Sequence, residues 1–273
     1  MSAIARPAFI VGCARSGTSI LGEAVAADPR VTYLYEVSPL WDKVLPERPD
    51  HRLTREDATA QTAAALRAEL SGRAAEAGRE VLVEKNPKHT LRIPFIDAIF
   101  ADSRFIHIIR DGRDTVASLM FRNRGPDWGH LKTPGWEDLL RRYPTENHIR
   151  CAHQWRDSVR ICRDDGRALP PGRYLEVRFE DLVRDPGPIL EGLFRFLDLD
   201  LDQGQGGLAP SVKAFLPKIQ DATAGSYHAK RQVRHYMDNH AVRVGRFREN
   251  LTAEQLVQVE AICGDLLREL GYN

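Results

Sequence analysis

The chain has 273 residues, 42% hydrophobic and 28% charged, with a formal net charge of +1. That length and apolar content suffice for one substantial core and predict a single domain over residues 1–273. A near-neutral balance excludes a global field that gathers nucleic acid or an anionic membrane, so any anion site must be a local cluster.

In chain order, AFIVGC (8–13) and VTYLYE (31–36) predict two strands, and residues 55–78, rich in Ala with Arg and Glu, read as a solvated helix. EVLVEK (80–85) and RFIHIIR (104–110) predict two more strands, nearly continuous in Val, Ile, Leu and Phe, as strands buried on both faces are. RNRGPDWGHLKTPGW (122–136) reads as a Gly-rich loop, RYLEVRF (173–179) as a fifth strand, and 202–226 as a second Gly-rich loop. At the end, Thr252 and Gln255 fit a capping box, Leu256, Val259, Ile262, Leu266 and Leu270 step along one helix face, and Gly271 suits the C′ position. Short β-rich runs alternating with helical patterns place the chain in the α/β class, with a parallel sheet covered on both faces. Cys13, Cys151, Cys162 and Cys263 show neither Cys-x-x-Cys spacing nor a paired His pattern, which leaves buried free thiols rather than a zinc site or a disulfide framework. The N-terminal MSAIARPAFIVGC lacks a leader-like pattern and no long apolar run follows anywhere, so a soluble cytoplasmic protein is expected.

Within FIVGCARSGTSI (9–20) a strand runs into a turn bracketed by Gly12 and Gly17 and then into a helix. Such a turn points successive backbone N–H groups inward at the positive end of a helix dipole and suits a phosphate. A plain strand–turn–helix accounts for the same glycine spacing. Thr18 stands where a nucleotide triphosphatase has the lysine that reaches the β/γ-phosphates, and Arg15 places a cation inside the loop. The loop therefore suits one terminal phosphate and its attached group, without a metal. In RFIHIIRDGRDTVASLM (104–120), Arg110 ends a strand and Ser118 lies on the next helix; a guanidinium and a hydroxyl together can grip a phosphate dianion. The competing reading pairs Arg110 with Asp111 or Asp114 and leaves Ser118 to pack.

With these residues in view, the chain resembles the sulfotransferases that use 3′-phosphoadenosine 5′-phosphosulfate (PAPS), and the bacterial small-molecule branch in particular, with motifs similar to those of tyrosylprotein sulfotransferases. CARSGTS (13–19) looks like the family's 5′-phosphosulfate loop and IIRDGRDTVASL (108–119) like its 3′-phosphate motif; VEKNPKHT (83–90) resembles its short lysine motif and VRFEDLVRDP (177–186) a further common segment. The resemblance implies a P-loop NTPase-like three-layer α/β/α fold with a central parallel sheet, PAPS as donor and PAP as product, and a hydroxyl acceptor of small-molecule size. It implies no metal and no nucleic-acid or membrane partner, and it leaves the oligomeric state and the acceptor's identity open. Residue by residue, Arg15 takes the cationic role at the phosphosulfate, Ser16, Gly17, Thr18 and Ser19 supply donors to the 5′-phosphate, and Arg110 with Ser118 recognises the 3′-phosphate. Arg243 and Arg246 are candidates for a basic C-terminal loop over that phosphate, although surface arginines are the commoner explanation.

Lys85 would neutralise charge on the bridging oxygen as the S–O bond breaks. The catalytic histidine found two residues after this lysine in aryl and steroid sulfotransferases is absent, since position 87 is Pro. His89 is a poor substitute, and Glu36, at the end of the second strand, is the expected base. An ion pair between Glu36 and Arg15 or Lys85 is the competing structural reading. Trp128, His130, Trp136, Tyr143 and His148 are candidates for an acceptor lid, although packing or surface roles are commoner for such residues. A P-loop kinase is disfavoured by Thr18 and by the lack of an apolar strand ending in a Walker-type Asp paired with a Walker lysine, since the 104–109 strand runs into Arg110 instead, and a non-catalytic nucleotide-binding protein by the presence of Lys85 and Glu36.

Overall fold

The structure, a computed structural model, describes residues 7–45, 48–122, 131–199, 201, 207–220 and 244–272. Its five strands are β1 (Ala8–Val11), β2 (Val31–Tyr35), β3 (Val81–Lys85), β4 (Arg104–Ile109) and β5 (Tyr174–Arg178). All pair in parallel, in the order β2-β3-β1-β4-β5. These are the five expected apolar runs, each trimmed by one or two residues. The register aligns Ile10 with Lys85 on one side and with Ile106 on the other, and Tyr35 with Lys85. The C-terminal ends of β1 to β4 therefore meet along one edge, where the chain, having laid β2 and β3 on one side of β1, turns to lay β4 and β5 on the other. Ligands of open α/β sheets gather at such a reversal.

The connecting helices are α1 (Thr18–Ala26), α2 (Ser38–Asp42), α3 (Ala60–Ala77), α4 (Ile93–Ile99), α5 (Gly112–Arg122), α6 (Trp136–Arg142), α7 (Asn147–Arg167), α8 (Phe179–Arg184), α9 (Pro186–Phe196), α10 (Pro210–Lys213), α11 (Leu216–Gln220), α12 (Phe247–Asn250) and α13 (Ala253–Glu269). Strand alternation sorts the core. Ala8, Ile10, Val83, Ile106 and Ile108 pack with residues of α1, α8 and α9, while Phe9, Val11, Leu82 and Phe105 pack with residues of α3 and α4. A third cluster joins α5, α7 and α13 through Val116, Trp155, Val259 and Leu266. Burying a side chain such as Phe9 or Ile10 completely contributes roughly 1.5–3 kcal/mol, so β1 is a strong organising element for the loop that follows it.

The capping box at Thr252 and Gln255 is present, and Gly271 follows α13 with φ 74°. The 55–78 segment differs from the expectation. A 3-10 turn covers Arg55–Asp57, α3 begins only after Thr59, and Ala63, Leu66 and Leu70 are buried. Their i, i+3, i+7 spacing makes an apolar stripe that the Ala-rich composition obscures. Residues 202–226 are not loop throughout: α10 and α11 lie within them, each with a proline in its first turn, Pro210 and Pro217, and each anchored by one buried apolar residue, Val212 and Ile219. At 122–136, α5 reaches Arg122 and Trp136 opens α6. All four cysteines are buried and free. No helix among the described residues is long and apolar enough to cross a membrane.

Candidate active site

Gly12 and Gly17 shape the loop between β1 and α1. Gly12 has φ 150°, and a Cβ there would lie 2.5 Å from the Ile108 carbonyl oxygen; Gly17 has φ 96°, and its Cβ would lie 2.4 Å from the Phe179 ring. Neither position accepts a side chain without moving backbone or a buried aromatic. Between them Arg15 adopts a left-handed φ of 73°, so successive peptide units turn their N–H groups to one side. Gly17 is the N-cap of α1 and makes no side-chain cap, and no acidic residue occupies the first turn. Ser16 is fully buried and its Oγ has no hydrogen-bond partner among the described residues. Uncapped helix N–H groups and an orphaned hydroxyl are the donor set an oxyanion group satisfies.

The second motif is joined to this loop directly. Arg15 Nε donates to Ser118 Oγ at 3.1 Å, and Arg110 Nη1 donates to the Arg15 carbonyl at 3.1 Å. Arg110 is 5% exposed, lies over the Phe179 ring at 4.9 Å, and has Asp114 Oδ2 at 3.8 Å. Burial lowers its pKa, and Asp114, Glu180 and Asp111 oppose that shift. Asp111 itself pairs with Arg113 at 2.8 Å, so of the two expected partners Asp114 is the one facing Arg110. Glu180 accepts from the Asp111 N–H at 3.0 Å and from the Tyr272 hydroxyl at 2.9 Å, which explains physically why VRFEDLVRDP accompanies the arginine motif. Asp114 also accepts from the backbone N–H groups of Gly245 and Phe247, at 2.7 and 2.9 Å. The backbone on either side of Arg246 is thereby fixed on Asp114, and Arg246 Nε lies 3.6 Å from Glu249. Arg243 lies outside the described residues.

The third component closes the edge at β2 and β3. The fully buried Lys85 ammonium is ion-paired with Glu36, whose side chain is 35% exposed, and sits 3.7 Å from the centroid of the Tyr35 ring. Burial pushes the Lys85 pKa down from 10.5 to about 8, with Glu36 and Glu23 holding it up. Glu36 leaves the strand with φ 43°, donates its N–H to the Lys85 carbonyl at 2.8 Å, and so returns its carboxylate to the lysine. The Gly12 N–H donates to Thr90 Oγ1 at 2.8 Å, fastening the lysine motif to the phosphate loop. His89 is excluded: it is fully buried, against Glu84 at 3.2 Å and the Trp41 ring. His148 is held by Gln258, and Trp136 is 2% exposed, so neither lines an open acceptor site. Trp128 and His130 lie outside the described residues. Sequence reasoning missed Tyr35 and the anchoring role of Asp114. The signal for Tyr35 was only its adjacency to Glu36, and for Asp114 only its place one turn after Arg110.

A glycine-bracketed loop after the first strand of a parallel sheet, with Lys85 and Arg110 at two further strand ends and Glu36 at a third, defines the class of three-layer α/β/α group-transfer and nucleotide-binding proteins. Within it the chain belongs to the sulfotransferase family, whose pattern it matches over residues 7–203. It is 26% identical over 197 residues to the omega-hydroxy-beta-dihydromenaquinone-9 sulfotransferase Stf3 of Mycobacterium bovis, covering 71% of this chain and 42% of that protein. The chain thus spans less than half the length of that relative. Among solved structures, the sulfotransferase domain from the curacin biosynthetic pathway superposes with a TM-score of 0.64 at 18% identity, covering 97% of this chain and 98% of that one. Mouse sulfotransferase SULT7A1 complexed with PAP gives a TM-score of 0.55 at 15% identity, covering 96% of this chain and 84% of that one. Both share the fold.

Proposed function

We propose that this chain transfers a sulfuryl group from PAPS to the hydroxyl of a small-molecule acceptor, without a metal. The observation that carries the reading is the buried Lys85–Glu36 pair at the sheet edge, next to a phosphate loop whose usual lysine is replaced by Thr18. Family membership and the PAP bound in a structural neighbour support it. The residues present fit the donor: Ser16, Gly17, Thr18 and Ser19 offer N–H and hydroxyl groups to a 5′-phosphate, and Arg15 meets the phosphosulfate. Arg110, Ser118 and Arg246 receive the 3′-phosphate.

When bound, PAPS supplies the sulfuryl group: the acceptor oxygen bonds to sulfur as the bond from sulfur to the bridging oxygen breaks. Glu36 takes the acceptor proton, a role worth about 10²–10⁴ in rate when a general base is well placed. Lys85 answers the charge gained by the departing oxygen from a fixed, buried position, where it needs no reorganisation at the moment of transfer. The ion pair between the two keeps Glu36 aimed until the acceptor arrives. The packing of α13 on α5 and α7 supports one domain over 1–273, and free buried cysteines fit a reducing cytoplasm.

Transfer from radiolabelled PAPS or ATP to a panel of hydroxylated metabolites, with and without EDTA, tests the proposal. Label moving from PAPS and surviving EDTA is the expected result; label moving only from ATP, or only without EDTA, overturns it. Thermal shift supplies a second arm. PAP at about 100 times its dissociation constant adds roughly 2.7 kcal/mol, and AMP at equal concentration much less.

A further inference from the structure

Tyr35 ends β2 and directly precedes Glu36. Neighbouring residues of a strand ordinarily point to opposite faces. The left-handed turn at Glu36, fixed by its N–H on Lys85 and by the Ser38 N–H donating to its carbonyl at 2.6 Å, instead brings both side chains to the same lysine. The ring face of Tyr35 carries the Lys85 ammonium at 3.7 Å. One ring and one carboxylate from consecutive residues thus hold the same cation. The other ionisable groups facing this ring are Glu23 of α1, Tyr33 of β2 with its ring 6.5 Å away, and, toward Lys85, Arg15 of the loop.

We propose that Tyr35 is a positioning residue for the Lys85–Glu36 pair, its ring face holding the ammonium where Glu36 meets it. The inference rests on the sulfuryl-transfer reading for its catalytic meaning, though not for its geometry. Two substitutions separate the two edges of the ring. Tyr35→Phe keeps the face and loses the hydroxyl; Tyr35→Leu loses both.

Protein labelled with 13C-lysine reports the Lys85 titration through the Cε resonance, assigned by its loss in Lys85→Met. A cation over an aromatic ring is stabilised enough that Tyr35→Leu should lower the Lys85 midpoint by about half a unit to one unit, with Tyr35→Phe near the unsubstituted protein. Tyr35→Met replaces Tyr35→Leu, with the same expectation, if the latter does not fold. In turnover, Tyr35→Leu should lose about three- to tenfold in kcat and Tyr35→Phe should stay near the unsubstituted protein, while KM for PAPS and the PAP-induced shift in Tm stay within about twofold in both. An unmoved Lys85 midpoint, or full kcat, in the non-aromatic variant overturns the proposal. The lysine titration needs no acceptor, so a failure of PAPS transfer in the unsubstituted protein would sink the functional reading and leave this test standing.

Discussion

The half of the site proposed to hold the 3′-phosphate and the half proposed to carry the transfer are built on opposite electrostatic terms. Arg110 is buried among groups that compensate it: Asp114, Glu180, the Arg15 carbonyl and the Phe179 face, with Trp155 Nε1 bonded to its own carbonyl at 3.1 Å. Lys85 is buried just as deeply, paired with one carboxylate and one ring, and that carboxylate is 35% exposed. The first arrangement suits holding a dianion in a fixed place. The second keeps a cation whose charge is only just retained, so that a neighbouring negative charge raises its value steeply. A buried charge with few partners is costly and gains most when a new one forms.

The sharpest way to break this contrast is Glu36→Gln, which keeps the shape and removes the proton acceptor. We expect kcat to fall by about 10²–10⁴, with PAP affinity nearly unchanged. Most of the turnover surviving on a normal alcohol acceptor would falsify the assignment of Glu36 as base. Lys85→Met should lower kcat by about 10²–10³ and leave the PAP thermal shift intact. A large loss of PAP affinity with normal kcat would instead make Lys85 a binding residue like Arg110. Arg110→Ala should act in the opposite sense, weakening PAP about 10- to 100-fold, to near the affinity of AMP, since a charge-assisted contact is worth roughly 1.5–3 kcal/mol. If PAP and AMP stabilise the unsubstituted protein equally, the 3′-phosphate half does not exist as described.

The smallest effect expected is on pH. Lys85 must be an ammonium to answer the leaving oxygen, and its pKa is pushed to about 8 by burial. Above that point kcat should fall about tenfold per pH unit, a decline absent from the pH profile of PAP binding by Arg110. The same shift has a stability consequence of known sign. The folded-state value lies below the ordinary 10.5, so burying the ammonium destabilises the fold below about pH 8, and that penalty fades as pH climbs toward 10.5.

All five strands and the last helix were legible because their signals are local: continuous apolar runs, and a Thr252/Gln255 box with period-3.6 leucines and valines. The turn bracketed by Gly12 and Gly17 and the place of Arg110 at a strand end were legible because glycine spacing and strand position restrict what a loop can do. Tyr35, by contrast, acquires its contacts from a left-handed turn one residue later and a partner on β3, and no sequence periodicity encodes that. Asp114 bonds to backbone 131 and 133 residues away. The short helices α2, α10 and α11 were invisible for a different reason: with at most five residues each, they hold too few apolar positions to show a period.

The clamp of Asp114 on Gly245 and Phe247 also fixes an order of events during synthesis. Both phosphate motifs have been translated by residue 118, yet the carboxylate beside Arg110, 2% exposed in the finished fold, lacks two of its donors until residue 247 has emerged. A nascent chain released or arrested before that point carries its donor loop and its sheet with an under-bonded acid at their junction. The turn around Asp114, encoded early, receives two of its hydrogen bonds only from the far end of the chain.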